Sequence, residues 1–322
     1  MSGSFARVNY QLRPAKGVER RMMADAFLRL RPFGSVESYR YVGMGSVYFA
    51  DFTLFHTVCG FTSLVSIEEA EDELTQNRFR FNVPFGTIDL RFGHSNVELP
   101  KLHWDNVRTI CWLDYDGSLT HPVLTDIRTL AGQMAPGGLL AVTVDTRLND
   151  ESAGPHRKLL DKLIAQIGTE EKVPTVITAA KKLKKSLVKS AFRTIMTQEL
   201  IDGINERNAG MPAEQHITFE QIFNFEYSDK APMLTIGWVL FDAGQRARFE
   251  ECEFKGLKFV RSGEEPFVIA PPFLTPHEMR ELNRCDEKET YRPSDLPLPS
   301  DERENYEQIR RYWPTGGYAE MT

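Results

Sequence analysis

Between residues 39 and 145 the chain alternates short apolar runs with helix-like segments, and this alternation constrains the fold more than any other feature. The runs fall at 39–43, 63–68, 87–92, 109–114 and 138–145. Most are nearly continuous in apolar character, as strands buried on both faces of a parallel sheet are. The segments between them supply the helical crossovers that parallel strands need. Pro136-Gly137-Gly138 makes the turn into the fifth run. Two later runs, at 221–227 and 233–241, are joined by Ser228-Asp229-Lys230-Ala231-Pro232. That connection is too short for a crossover, so the pair is expected to be antiparallel. The expected fold is therefore α/β: a doubly wound, Rossmann-like sheet of five parallel strands plus an antiparallel hairpin.

The rest of the chain divides around this sheet. Residues 1–38 form a basic N-terminal helical segment, with a helix expected over 18–30 and Arg13-Pro14-Ala15-Lys16-Gly17 as a loop or helix start. Its arginines and lysines are expected to form a solvated basic face. The Rossmann-like domain covers 39–148 and 217–245. Residues 149–216 read as a helical, lysine-rich insertion. Lys181, Lys182, Lys184, Lys185, Lys189 and Arg193 lie opposite Leu183, Leu187 and Ala191, the pattern of a basic amphipathic helix. Residues 246–322 read as an irregular C-terminal extension of short elements over the main domain. A formal net charge of -6 over 322 residues argues against a protein that coats nucleic acid non-specifically. No apolar run approaches the roughly 20 residues that span a bilayer. Cys59, Cys111, Cys252 and Cys285 form no CxxC pair, which fits a reducing cytoplasm better than a disulfide framework.

The first unit of the alternation carries the chemistry. Tyr41-Val42-Gly43-Met44-Gly45-Ser46 ends the first run in two glycines, and a helix is expected from Val47 to His56. Leu64-Val65-Ser66-Ile67 then ends in Glu68. A strand, a glycine turn, a helix and a second strand closed by a carboxylate make half a nucleotide-binding site. Glycine lets backbone approach a ligand, and the carboxylate can accept the hydroxyl protons of a ribose. Tyr48 stands where a dinucleotide fingerprint needs its third glycine, so a dinucleotide is disfavoured. Asp114 and Asp116 flank Tyr115 after the fourth run; two carboxylates at alternate positions can orient a substrate, accept its proton or hold a cation. Asp145 ends the fifth run on the same edge. Arg13 and Lys16 are candidates for an anionic group on the substrate, with Arg20 beside them.

This order of parts resembles the class I S-adenosylmethionine-dependent methyltransferases over about 39–145 plus 217–242. The stretch from Tyr41 to Phe52, together with Trp112-Leu113-Asp114-Tyr115-Asp116, is similar to prokaryotic proteins called O-methyltransferases. The resemblance implies S-adenosylmethionine as cofactor. Gly43, Gly45 and Ser46 would lie against its methionine end, Glu68 on its ribose, and Gly93 and His94 near its adenine. Asp114 and Asp116 would be catalytic, with Tyr115 and Asp145 facing the acceptor, here expected to be an oxygen acceptor. Thr146 replaces the Asn that cation-dependent O-methyltransferases place after their fifth-strand acid, which weakens a metal reading: no metal ligand is assigned, and a divalent cation is kept as the lesser alternative. Tyr41 replaces the acid that many members carry two residues before the first glycine. Two other readings stay open: a non-catalytic nucleotide-binding or sensing subunit of a larger assembly, and a nucleic-acid methyltransferase docking through Lys181, Lys182, Lys184 and Lys185. A homo-oligomer is also compatible with the chain.

Overall fold

The computed structural model describes residues 13–148, 158–179, 181–285 and 293–314. The alternating runs become β1 (Arg40–Gly43), β2 (Ser63–Glu68), β3 (Ile88–Phe92), β4 (Thr109–Ser118) and β5 (Gly138–Asp145). The later pair becomes β6 (Ile217–Ser228) and β7 (Pro232–Asp242). With β8 (Phe267–Ile269) they form one sheet of order β3-β2-β1-β4-β5-β7-β6-β8. β1 to β5 are mutually parallel; β7 is antiparallel to both β5 and β6. The doubly wound sheet with a terminal hairpin is thus as expected.

β8 was not legible. It spans only three residues, with Val268 half exposed between buried Phe267 and Ile269, too short to show a period. It pairs in parallel with β6 and ties the C-terminal extension to the sheet. By direction, the carboxyl ends of β6 and β8 lie on the same sheet edge as those of β1 to β5.

The described helices are α1 (Pro14–Leu28), α2 (Ala50–Cys59), α3 (Glu73–Asn82), α4 (Ser95–Glu98), α5 (His121–Gln133), α6 (Leu159–Ile167), α7 (Thr175–Ala179), α8 (Val188–Asn208), α9 (Arg246–Glu251), α10 (Pro276–Cys285) and α11 (Ser300–Ile309). They cover both faces of the sheet and create two apolar cores. One joins α1 and α2 through Met22, Phe27, Phe52, Phe55 and Trp112; the other joins α5 and α8 through Ile127, Leu130, Phe192 and Leu200. Gly203 lets α8 close on α5, since a Cβ there would lie 2.8 Å from the Arg128 carbonyl oxygen. No described helix is long and apolar enough to cross a membrane.

Three local expectations are corrected. α1 begins at Pro14, four residues earlier than 18. Proline suits the first helical position, and the Asp229 carboxylate accepts from the backbone N–H groups of Ala15 and Lys16 at 3.2 Å each. Nor is its basic face solvated at the sheet: Lys16 and Arg20 are buried. The lysine segment is not a helix at Lys181, Lys182 and Lys184; Lys185–Leu187 forms a single 3-10 turn and α8 starts only at Val188. Lysines three and four residues apart would repel along a helix, and only Leu183 among 181–187 is buried. The four lysines are exposed, three in a loop and Lys185 in the 3-10 turn, while Lys189 pairs with Glu226 at 2.6 Å.

Candidate active site

The glycine turn after β1 is tighter than a simple strand-to-helix junction. Ser46 and Phe49 both adopt left-handed backbone, with φ of 52° and 45°, a conformation that non-glycine residues seldom take. This delays α2 from Val47 to Ala50. Gly43 is required because a Cβ there would sit 2.6 Å from the Tyr41 hydroxyl. Gly45 turns its N–H toward the next strand and donates to Glu68 Oε1 at 2.7 Å and to Ser66 Oγ at 3.1 Å. The Ser66 hydroxyl also donates to Glu68 Oε1, at 2.5 Å.

These groups border a cavity of about 360 Å³ at the carboxyl edge of β1, β2 and β4. Gly45, Ser46, Glu68, Gly93, Asp114 and Asp116 all line it. Glu68 is 5% exposed. Burial pushes its carboxyl up to about 8, against the opposing hydrogen bonds from Ser66 and Gly45. A carboxylate held this way is poised to gain from two incoming hydroxyl donors.

From the cavity wall, Ser95 and Tyr115 both donate to Asp126 Oδ2, at 2.5 and 2.6 Å. Burial raises the Asp126 carboxyl above its ordinary range. Lys16 meets Asp114, also on the wall: its Nζ lies 2.7 Å from Asp114 Oδ1 and 2.8 Å from Glu19 Oε2, over the Trp112 ring at 4.3 Å. It also donates to the Tyr227 hydroxyl at 2.9 Å. Tyr227 in turn lines a second cavity of about 920 Å³ at the carboxyl ends of β6 and β8. Pro271, Pro272, Met279 and Trp313 from the C-terminal extension help to wall it. Lys16 therefore bridges the walls of the two cavities.

A family model described as "Putative O-methyltransferase" matches residues 8–321. The chain belongs to this family. A search of curated proteins finds no match. Among solved structures, the chain is similar to an amino pentose methyltransferase, CalS10 of Micromonospora echinaspora, bound to S-adenosylmethionine. The identity is 17%, with 43% of this chain and 52% of that one covered and a TM-score of 0.30. It is similar to the plantazolicin methyltransferase BamL in complex with S-adenosylhomocysteine, at 10% identity over 70% of this chain and 85% of that one, TM-score 0.39. It is also similar to an S-adenosylmethionine-dependent methyltransferase of Mesorhizobium loti, at 16% identity over 65% and 94%, TM-score 0.36. The chain spans about half the length of the first two solved structures it matches.

Within this family member, several candidate residues stand elsewhere than expected. His94 does not line the cofactor-sized cavity; its side chain is 61% exposed and lies 3.2 Å from Glu69, while its neighbours Gly93 and Ser95 form the wall. Asp145 does not reach the cavity either. Arg147 ties it down through its backbone N–H at 2.8 Å and Nε at 2.7 Å. Lys16 is consumed by Asp114 and Glu19 rather than offered to an incoming anion, and Arg13 borders the larger cavity. Among the described residues, no group of three or more His, Cys, Asp and Glu is arranged to hold a metal ion. Sequence reasoning missed Asp126, which meets Ser95 across 31 residues. It also missed Asp51, whose Oδ2 accepts from the Tyr41 hydroxyl at 2.6 Å. Tyr41 at the usual acid position was visible, but its carboxylate partner ten residues on carried no signal.

Proposed function

We propose that the protein is an S-adenosylmethionine-dependent methyltransferase acting on an oxygen acceptor, with the cofactor in the smaller cavity and the acceptor approaching from the larger one. The observation that carries this reading is Glu68. It is a buried carboxylate at the end of β2, bonded to the glycine-turn N–H of Gly45 and facing a cavity of fitting size. The residues present fit the cofactor's chemistry. Glu68 would accept the ribose hydroxyls, the Gly45 turn would admit the thioether chain without a side chain in its way, and the Gly93–Ser95 wall would face the adenine. Four carboxylates on the wall (Glu68, Glu69, Asp114 and Asp116) suit a ligand that carries a sulfonium and an ammonium.

When bound, the cofactor supplies an electrophilic methyl group for in-line displacement. The protein's task is then alignment and removal of the acceptor's proton. Asp114, fixed by Lys16, would orient the acceptor hydroxyl. Asp116 is more exposed, at the cavity rim, and would pass the hydroxyl proton to solvent. Lys16, linking Asp114 to Tyr227, places that chemistry beside the larger, apolar-walled cavity. Calorimetry of the intact chain with S-adenosylmethionine tests the reading: one-to-one binding is expected, and its absence across salt and metal conditions overturns it.

A further inference from the structure

Arg20 lies one turn after Lys16 on α1, outside the alternating βα units, and reaches the smaller cavity beside Met44, Gly45 and Ser46. It is 7% exposed. Among the described residues lining that cavity it is the one lysine or arginine, set against four carboxylates. Lys16, the neighbouring cation, is bonded to Asp114 and Glu19 and does not line this cavity. The nearby Asp51 carboxyl is raised above its ordinary range by burial, against the opposing charge of Arg20, and accepts from the Tyr41 hydroxyl. The wall thus carries a guanidinium together with the glycine turn.

A ligand with an amino-acid tail carries one anion amid cationic groups, and this wall carries one cation amid anionic groups. A guanidinium binds a carboxylate through two parallel N–H donors, a geometry that a lysine cannot reproduce. We propose that Arg20 receives the α-carboxylate of the cofactor's methionine portion, so that α1 completes the cofactor site. In this chain the acid common before the first glycine is replaced by Tyr41, whose hydroxyl donates to the buried Asp51 carboxylate. The inference rests on the cofactor reading of this cavity.

The test compares two ligands by calorimetry on the intact chain: S-adenosylhomocysteine and its decarboxylated analogue, which keeps the amine. The wild-type protein should prefer the carboxylate-bearing ligand by about 10- to 100-fold, the range expected of a buried charge-assisted pair. Arg20→Gln should erase that preference, read as the ratio of the variant's two affinities, and Arg20→Lys should keep part of it. Equal affinity of the wild type for both ligands, or full preference surviving in Arg20→Gln, overturns the proposal. If Arg20→Gln does not fold, the wild-type comparison and Arg20→Lys decide. Binding of neither ligand by the wild type removes the cofactor reading itself, and the inference with it.

Discussion

Burial of Glu68 costs the fold stability once its carboxyl must ionise, and replacing it with glutamine separates that cost from its proposed role in the cofactor site. Its carboxyl is pushed from an ordinary 4.5 to about 8 by burial. Between those values the folded chain holds a proton that the unfolded chain has released. Stability therefore falls as pH rises through this window. Every pH unit crossed within it costs about 1.4 kcal/mol, so the loss relative to pH 4.5 is on the order of 3 kcal/mol at pH 7. Glu68→Gln cannot ionise, and its amide oxygen can keep the bonds from Gly45 and Ser66. At about 2.1 cal/mol/K of unfolding entropy per residue, a 322-residue chain gains about 1.5 °C per kcal/mol. The variant should thus melt about 4 °C above wild type at pH 7 and with it near pH 4.5. The same variant should bind S-adenosylhomocysteine about 10- to 100-fold more weakly, having lost a charged acceptor for the ribose hydroxyls. Scanning calorimetry across pH, paired with titration calorimetry, reads both. A variant with the same pH–stability curve as wild type and unchanged affinity would refute the reasoning.

Other outcomes follow from the same geometry. Wild-type affinity for S-adenosylhomocysteine should rise with pH up to about 8 and level above it, by no more than about tenfold per pH unit; titrations in buffers of different ionisation enthalpy should show proton release at pH 7. Lys16→Met leaves the buried Glu19 carboxyl, and the half-buried Asp114 beside it, without their cation, and urea unfolding should show a loss of about 3–5 kcal/mol. Gly43→Ala drives a Cβ against the Tyr41 hydroxyl, and because that ring is packed among Phe52, Phe55 and Phe61, a cost of about 1–3 kcal/mol is expected in the same assay. Asp229→Ala removes the acceptor from the first turn of α1, at about 1 kcal/mol.

The sheet was legible because a strand buried on both faces leaves an apolar run whatever surrounds it, as at 109–114 and 138–145. That Gly45, Glu68, Asp114 and Asp116 would line one cavity at the sheet edge was legible for a related reason: each sits at a strand end, and position along the chain fixes position on the edge. What escaped were contacts between distant parts. Nothing near Lys16 announces that Asp114 will take its ammonium group, and nothing near Asp126 announces Ser95. The run from Lys181 to Leu187 has helical spacing, yet like charges and a single buried side chain leave it without a helix. Asp145 carried the signal of a site residue, but Arg147, two residues on, satisfies it locally. His94 shows the limit of reasoning by place: the loop is where expected, and its backbone neighbours, not its ring, form the wall.

The most direct test of the central claim is a crystal structure of the intact chain with S-adenosylhomocysteine. The ribose hydroxyls are expected on Glu68, the adenine against Gly93 and Ser95, and the amino-acid end beside Gly45 and Arg20. A nucleotide bound elsewhere, or one lying in this cavity with its ribose turned away from Glu68, would contradict the cofactor site proposed for this chain.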